Sequence, residues 1–127
     1  MELELSKDFK ELLRLLNANG VRYLLVSGYA VGFYGYPRAT SDIDIFVARD
    51  LENARQLIKS LAEFGFAETE LSIELFTQEK SIVQIGVEPL KTEFLNFISG
   101  VNFEEAYASG ITGVIDGVEV SLISCII

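Results

Sequence analysis

The stretch from residue 27 to residue 46, SGYAVGFYGYPRATSDIDIF, is the most informative part of the sequence. Polar and apolar residues alternate at its end, which predicts a strand over 42–48. Because successive side chains on a strand point to opposite faces, Asp42 and Asp44 share one face, with Cα atoms about 6.5–7 Å apart. Two carboxylates on one face form a hard oxygen site suited to Mg²⁺. A strand that simply faces solvent shows the same alternation.

The residues before this strand form a pattern that is typical of a phosphate-binding site. Ser27 and Gly28 follow an apolar strand and precede a short predicted helix over 29–34. A glycine there lets the backbone approach a ligand closely, and a helix start offers N–H groups to phosphate oxygens. Arg38, close to Thr40, could hold a phosphate bidentately. A tight turn and a surface arginine are the plainer interpretation, but together with Asp42 and Asp44 these residues predict a nucleotide–metal cleft.

Three motifs carry a resemblance to a known superfamily: Val26-Ser27-Gly28, Asp42-Ile43-Asp44, and the Gly-x-x-Arg-x-Thr segment 35–40. The chain resembles the DNA polymerase beta-like nucleotidyltransferases over most of residues 21–123. More narrowly, it is similar to the small minimal nucleotidyltransferases, which include toxin–antitoxin-associated forms.

The resemblance implies an activity and a set of site residues. The activity is Mg²⁺- or Mn²⁺-dependent transfer of a nucleoside monophosphate from a nucleoside triphosphate to an unidentified acceptor. Asp42 and Asp44 would bind the metal, and Glu93 would complete the site or act as a base. The triphosphate would lie against four residues that precede the strand: Ser27, Gly28, Arg38 and Thr40.

The sequence departs from the superfamily pattern at two places. Glu93 stands where relatives more often carry Asp, and a two-metal site is sensitive to placement errors of about 1 Å. Relatives also continue into further helices, so residues 1–127 are expected to form a single domain that lacks them. Both departures favour the alternative function, a non-catalytic nucleotide- or partner-binding module such as one component of a toxin–antitoxin pair.

The remaining elements follow from apolar periodicity and from capping and turn residues. Helices are predicted over 4–19, 51–64 and 103–109, and single strands over 21–27 and 93–98. One hairpin is predicted from 72–77 and 81–87, and another from 111–115 and 118–123 around Asp116-Gly117. From these helices and strands we expect an α/β (α+β) nucleotidyltransferase-fold core, a short mixed sheet with helices mainly on one side.

The composition of the chain excludes some classes of function and argues against some binding partners. The net charge of −9 argues against extended nucleic acid and anionic membrane surfaces. The lack of histidine excludes a Ser-His-Asp triad. A single cysteine, Cys125, fits the cytoplasm, and neither a signal peptide nor a membrane span is expected. The apolar residues 118–127 are expected to pack inside the domain or against a second subunit, so a protein partner or a homodimer is a further expectation.

Overall fold

The computed structural model describes residues 7–26, 42–66, 71–85, 91–115 and 117–123. The helices are α1 (Lys7–Ala18), α2 (Leu51–Phe64), α3 (Ile73–Thr77) and α4 (Phe103–Ser109). The strands are β1 (Tyr23–Val26), β2 (Asp42–Val47), β3 (Ile82–Ile85), β4 (Lys91–Leu95), β5 (Ile111–Ile115) and β6 (Val118–Leu122). They form one mixed sheet in the order β3-β4-β2-β1-β6-β5. β2 pairs with β4, and β1 with β6, in parallel, and the other pairs are antiparallel.

The two faces of the sheet differ in what covers them. On the helical face, the side chains of Tyr23, Leu25, Ile45 and Phe94 join a buried core with residues of α1, α2 and α3. On the opposite face, called here the open face, Leu24, Val26 and Phe46 pack against Ala106 of α4. The expected mixed sheet with helices mainly on one side is therefore confirmed.

Local sequence explains how the two long helices are placed on the helical face. Phe9, Leu12, Leu13 and Leu16 form the buried stripe of α1, as helical periodicity predicts. The Asp50 carboxylate accepts a hydrogen bond from the backbone N–H of Asn53, 3.0 Å away, and so caps α2. At the other end of α2 stands Gly65, with a φ of 125° that favours glycine.

The prediction of a hairpin from 72–77 and 81–87 is wrong. Residues Ile73–Thr77 form the helix α3, whose buried Phe76 makes a T-shaped contact with the Phe94 ring, with centroids 6.3 Å apart. The strand β3 pairs instead with β4, which begins at Lys91 and ends at Leu95 rather than spanning 93–98. The residue after β4, Asn96, accepts a hydrogen bond from the Ser81 N–H through its side-chain oxygen at 2.8 Å.

The hairpin of β5 and β6 is confirmed, and Gly117 has a φ of 80° in its turn. β6 is an interior strand, and its Val118, Val120 and Leu122 are buried in the core. This part of the apolar carboxyl-terminal segment therefore packs inside the domain, and residues 124–127 lie outside the described part of the chain. No described helix combines the length and the apolar character that crossing a bilayer requires.

Candidate functional site

Two acidic residues from distant parts of the chain lie side by side on the open face. β2 and β4 are parallel neighbours, and Asp44 is in register with Glu93. Neighbouring strands are about 4.8 Å apart, and residues in register project from the same face of a sheet. Both side chains are half-buried. The two carboxylates therefore project together from the middle of the sheet.

Asp42 opens β2, two residues before Asp44, and its register partner is Lys91. The structure describes the backbone of Asp42 and of Lys91 but not their side chains. Among the described residues, no group of three acidic, histidine or cysteine side chains gathers around one point. The described part of the acidic site is accordingly the pair Asp44 and Glu93.

The predicted phosphate-binding residues Ser27, Gly28, Arg38 and Thr40 lie outside the described residues, as does the predicted helix over 29–34. The structure does show where the chain enters this segment. β1 ends at Val26, which is in register with Asp44. Val26, the residue before Ser27 in the sequence, therefore lies directly beside Asp44.

The acidic pair is the centre of a row that crosses four strands. Gln84 on β3 is in register with Glu93, Glu93 with Asp44, and Asp44 with Val26. Gln84 is exposed, and its strand is the edge of the sheet. The sequence analysis did not single out Gln84, because only the pairing of β3 with β4 brings it next to Glu93.

A cleft of about 480 Å³ opens where β2 and β4 end and α4 begins, and is called here the α4 cleft. Its lining includes the aromatic rings of Phe46, Phe97 and Phe103 and the polar side chains of Arg49, Asp50 and Glu104. Phe46 follows Asp44 by two residues on β2, so the cleft and the acidic pair share the open face. No sequence motif predicts this cleft, because its lining comes from three separate segments.

An ion-pair network fixes one wall of the α4 cleft. Arg22 Nη1 donates to both carboxylate oxygens of Glu104 at 2.8 Å, and Nη2 donates to Asp50. The guanidinium also lies 6.0 Å from the centroid of the Phe103 ring. Burial alone would lower the pKa of Arg22, but the Glu104 hydrogen bond and the charges of Asp50 and Glu104 outweigh it and raise the pKa. These contacts tie α4 to the segment before β1 and to the start of α2.

The donor chemistry of the acidic pair fits a hard divalent cation. Carboxylate oxygens are the ligands that Mg²⁺ prefers, and Mg²⁺ is commonly held by one or two carboxylates together with substrate phosphates. Asp44 and Glu93 supply two such groups on adjacent strands. The Ser27–Thr40 segment, which follows Val26 in the sequence, carries the residues predicted to hold phosphate.

The fold is shared with a protein of known structure. The crystal structure of a putative nucleotidyltransferase from Thermotoga maritima matches this chain with a TM-score of 0.63 and 16% sequence identity. The match covers 91% of this chain and 74% of that protein. No protein-family model matches the sequence, and no curated protein matches it. The comparison confirms the predicted nucleotidyltransferase-like fold.

Proposed function

We propose that the protein is a metal-dependent nucleotidyltransferase that moves a nucleoside monophosphate from a nucleoside triphosphate to an acceptor. The observation that carries the proposal is the register of Asp44 with Glu93 on the open face of a nucleotidyltransferase-like sheet. Glu93, the third carboxylate expected from the sequence, is in register with Asp44 although it comes from a distant part of the chain.

Each part of the site has a role in this proposal. Asp42, Asp44 and Glu93 supply the carboxylates that hold Mg²⁺ or Mn²⁺, and Ser27, Gly28, Arg38 and Thr40 hold the triphosphate. When bound, the cation neutralises charge on the phosphates. The acceptor oxygen forms a bond to the α-phosphorus as the bond to the β-phosphate oxygen breaks, and pyrophosphate leaves. The acceptor proton goes to a carboxylate, which is half-buried Glu93 if Glu93 acts as the base rather than completing the metal site.

We propose that the acceptor binds in the α4 cleft. It lies on the same face as the acidic pair and is walled by aromatic rings and by charged side chains. Small-molecule sites commonly combine an apolar lining with a few polar groups. A small acceptor in the cleft would lie near Asp44, since Phe46, which contributes to the cleft lining, follows Asp44 by two residues on β2.

Ligand-dependent unfolding tests the cation and nucleotide site. A ligand at 100 times its dissociation constant raises the free energy of unfolding by about 2.7 kcal/mol. We therefore expect Mg²⁺ or Mn²⁺ with a nucleoside triphosphate to raise the melting temperature by several degrees. The double substitution Asp42→Asn with Asp44→Asn should abolish this shift and leave the metal-free protein as stable or slightly more stable, because like charges no longer repel.

Glu119→Gln is the matched control, since Glu119 is an exposed carboxylate on β6, away from the acidic pair. It should keep the full ligand-dependent shift. Absence of any shift in the wild-type protein, with either cation and each of the four triphosphates, would contradict the proposal.

The alternative is a module that binds nucleotide or a protein partner without turnover, such as one component of a toxin–antitoxin pair. Its support is Glu93, which stands where relatives more often carry Asp. Pyrophosphate release separates the two functions. An enzyme releases pyrophosphate from the triphosphate when a suitable acceptor is present, whereas a binding module gives the thermal shift without pyrophosphate.

A further inference from the structure

We propose that Gln84 is a positioning residue that orients the carboxylate of Glu93 toward Asp44. The inference rests on the proposed function, because it concerns how Glu93 serves a divalent cation. It assigns a role to a residue of β3, an edge strand for which the sequence motifs indicate no function.

The geometry comes from the pairing of β3 with β4. The two strands are antiparallel, and Gln84 is directly opposite Glu93. Side chains directly opposite each other on antiparallel strands have Cβ atoms about 4.5–5.5 Å apart. Glu93 therefore has one neighbour in the row on each side, the Asp44 carboxylate and the Gln84 amide.

The two sides of Glu93 act differently on its carboxylate. Asp44 repels it when both groups are ionised. The Gln84 side chain is neutral, and its amide N–H groups can donate to a carboxylate oxygen. Among the described residues no hydrogen bond joins Gln84 to Glu93 or holds either side chain elsewhere, so the proposed hydrogen bond is one that forms when the site is occupied.

The length of the glutamate side chain explains why a hydrogen bond from Gln84 would matter. Glutamate has one more rotatable bond than aspartate, so more of its conformations point away from Asp44. A hydrogen bond to one carboxylate oxygen selects the conformation in which the other oxygen faces the cation. Carboxylate ligands are generally held by such outer hydrogen bonds, and their loss typically weakens metal affinity 10- to 100-fold.

Mn²⁺ binding measures this role without any acceptor. Free Mn²⁺ is followed by electron paramagnetic resonance during titration to millimolar concentrations in the presence of a non-hydrolysable triphosphate analogue. We expect Gln84→Leu to weaken the affinity 10- to 100-fold and Gln84→Asn, which keeps the amide, to weaken it less. The control is Ile82→Ala, a change at an exposed residue two positions away on the same strand and opposite Leu95, which should leave the affinity unchanged.

A double-mutant cycle tests whether Gln84 acts through Glu93. In the Glu93→Gln background, adding Gln84→Leu should change the Mn²⁺ affinity less than twofold. The proposal is overturned if Gln84→Leu binds like the wild type, or if it causes the same loss in the Glu93→Gln background. If the wild-type protein binds no Mn²⁺, the proposed function fails and this inference fails with it. If the wild type binds Mn²⁺ and Gln84→Leu binds it equally well, only this inference fails.

Discussion

The hydroxyl of Tyr23 is buried on the helical face of the sheet and forms a hydrogen bond there. Its ring is almost fully buried on the helical face, and its hydroxyl donates to Asn17 Oδ1 at 2.9 Å. Burial disfavours the phenolate and raises the pKa of Tyr23 to about 12. The hydroxyl therefore links α1 to β1 only while it keeps its proton.

This pKa predicts an alkaline loss of stability. An unfolded tyrosine titrates near pH 10, so the unfolded chain releases its proton first. The contribution of Tyr23 to the free energy of unfolding is complete below about pH 10 and falls as the pH rises toward 12. Urea unfolding between pH 9 and 12 should show this fall in the wild type. In Tyr23→Phe the fall should be smaller, and an equally steep fall there would contradict the assignment.

At the level of elements, Asn96 joins the end of β4 to the connection between α3 and β3. Its side-chain oxygen accepts from the Ser81 N–H, and its Nδ2 donates to the carbonyl oxygens of Phe76 at 3.1 Å and Gln78 at 2.7 Å. One buried amide thus satisfies three backbone groups that no strand or helix partner would satisfy.

Replacement of Asn96 by leucine should be costly. It leaves a buried N–H and two carbonyl groups without partners. Each buried polar group without a partner lowers the free energy of unfolding by about 1–3 kcal/mol. We expect the free energy of unfolding to fall by about 2–4 kcal/mol, allowing for partial relaxation. Asn102→Ala, which removes the exposed cap of α4, should cost only about 1 kcal/mol. Similar losses in the two variants by urea unfolding would refute the special role of Asn96.

The same elements show where sequence predicts structure and where it does not. α2 with its Asp50 cap, and the strand containing Asp42 and Asp44, follow from periodicity and capping within one segment. The segment 72–77 does not, because its short apolar pattern fits either a strand or a helix. Burial of Phe76 against Phe94, a contact with another element, favours the helix.

In the candidate site, too, some features are predictable from local sequence and others depend on how distant strands pair. That Asp42 and Asp44 share a strand is a local property, and it is predictable from two residues' spacing. That Glu93 lies beside Asp44, and Gln84 beside Glu93, depends on which strands pair and in which register. Register between distant strands is set by the whole core rather than by either strand, so the row and the α4 cleft emerge only from the structure.

Across the whole molecule, protection from solvent should decrease from the centre of the sheet to its edges. All four residues of β1 are buried, whereas β3 at one edge includes exposed Ile82 and β5 at the other includes exposed Val114. We expect the amides of β1 to exchange with deuterium only through global unfolding, and those of β3 through smaller openings. Protection of β3 equal to that of β1 would contradict this and would indicate that another molecule covers the edge.

The parallel register of Asp44 with Glu93 also has a kinetic consequence. The two strands are separated along the chain by α2, α3 and β3, so their pairing requires closure of a long loop. A ligand that needs both carboxylates has nothing to bind until that pairing exists. If the pairing completes after the rate-limiting barrier to folding, the ligand leaves the refolding rate unchanged and acts wholly by slowing unfolding. Bound ligand would then extend the lifetime of the folded protein without helping a newly made chain to reach it.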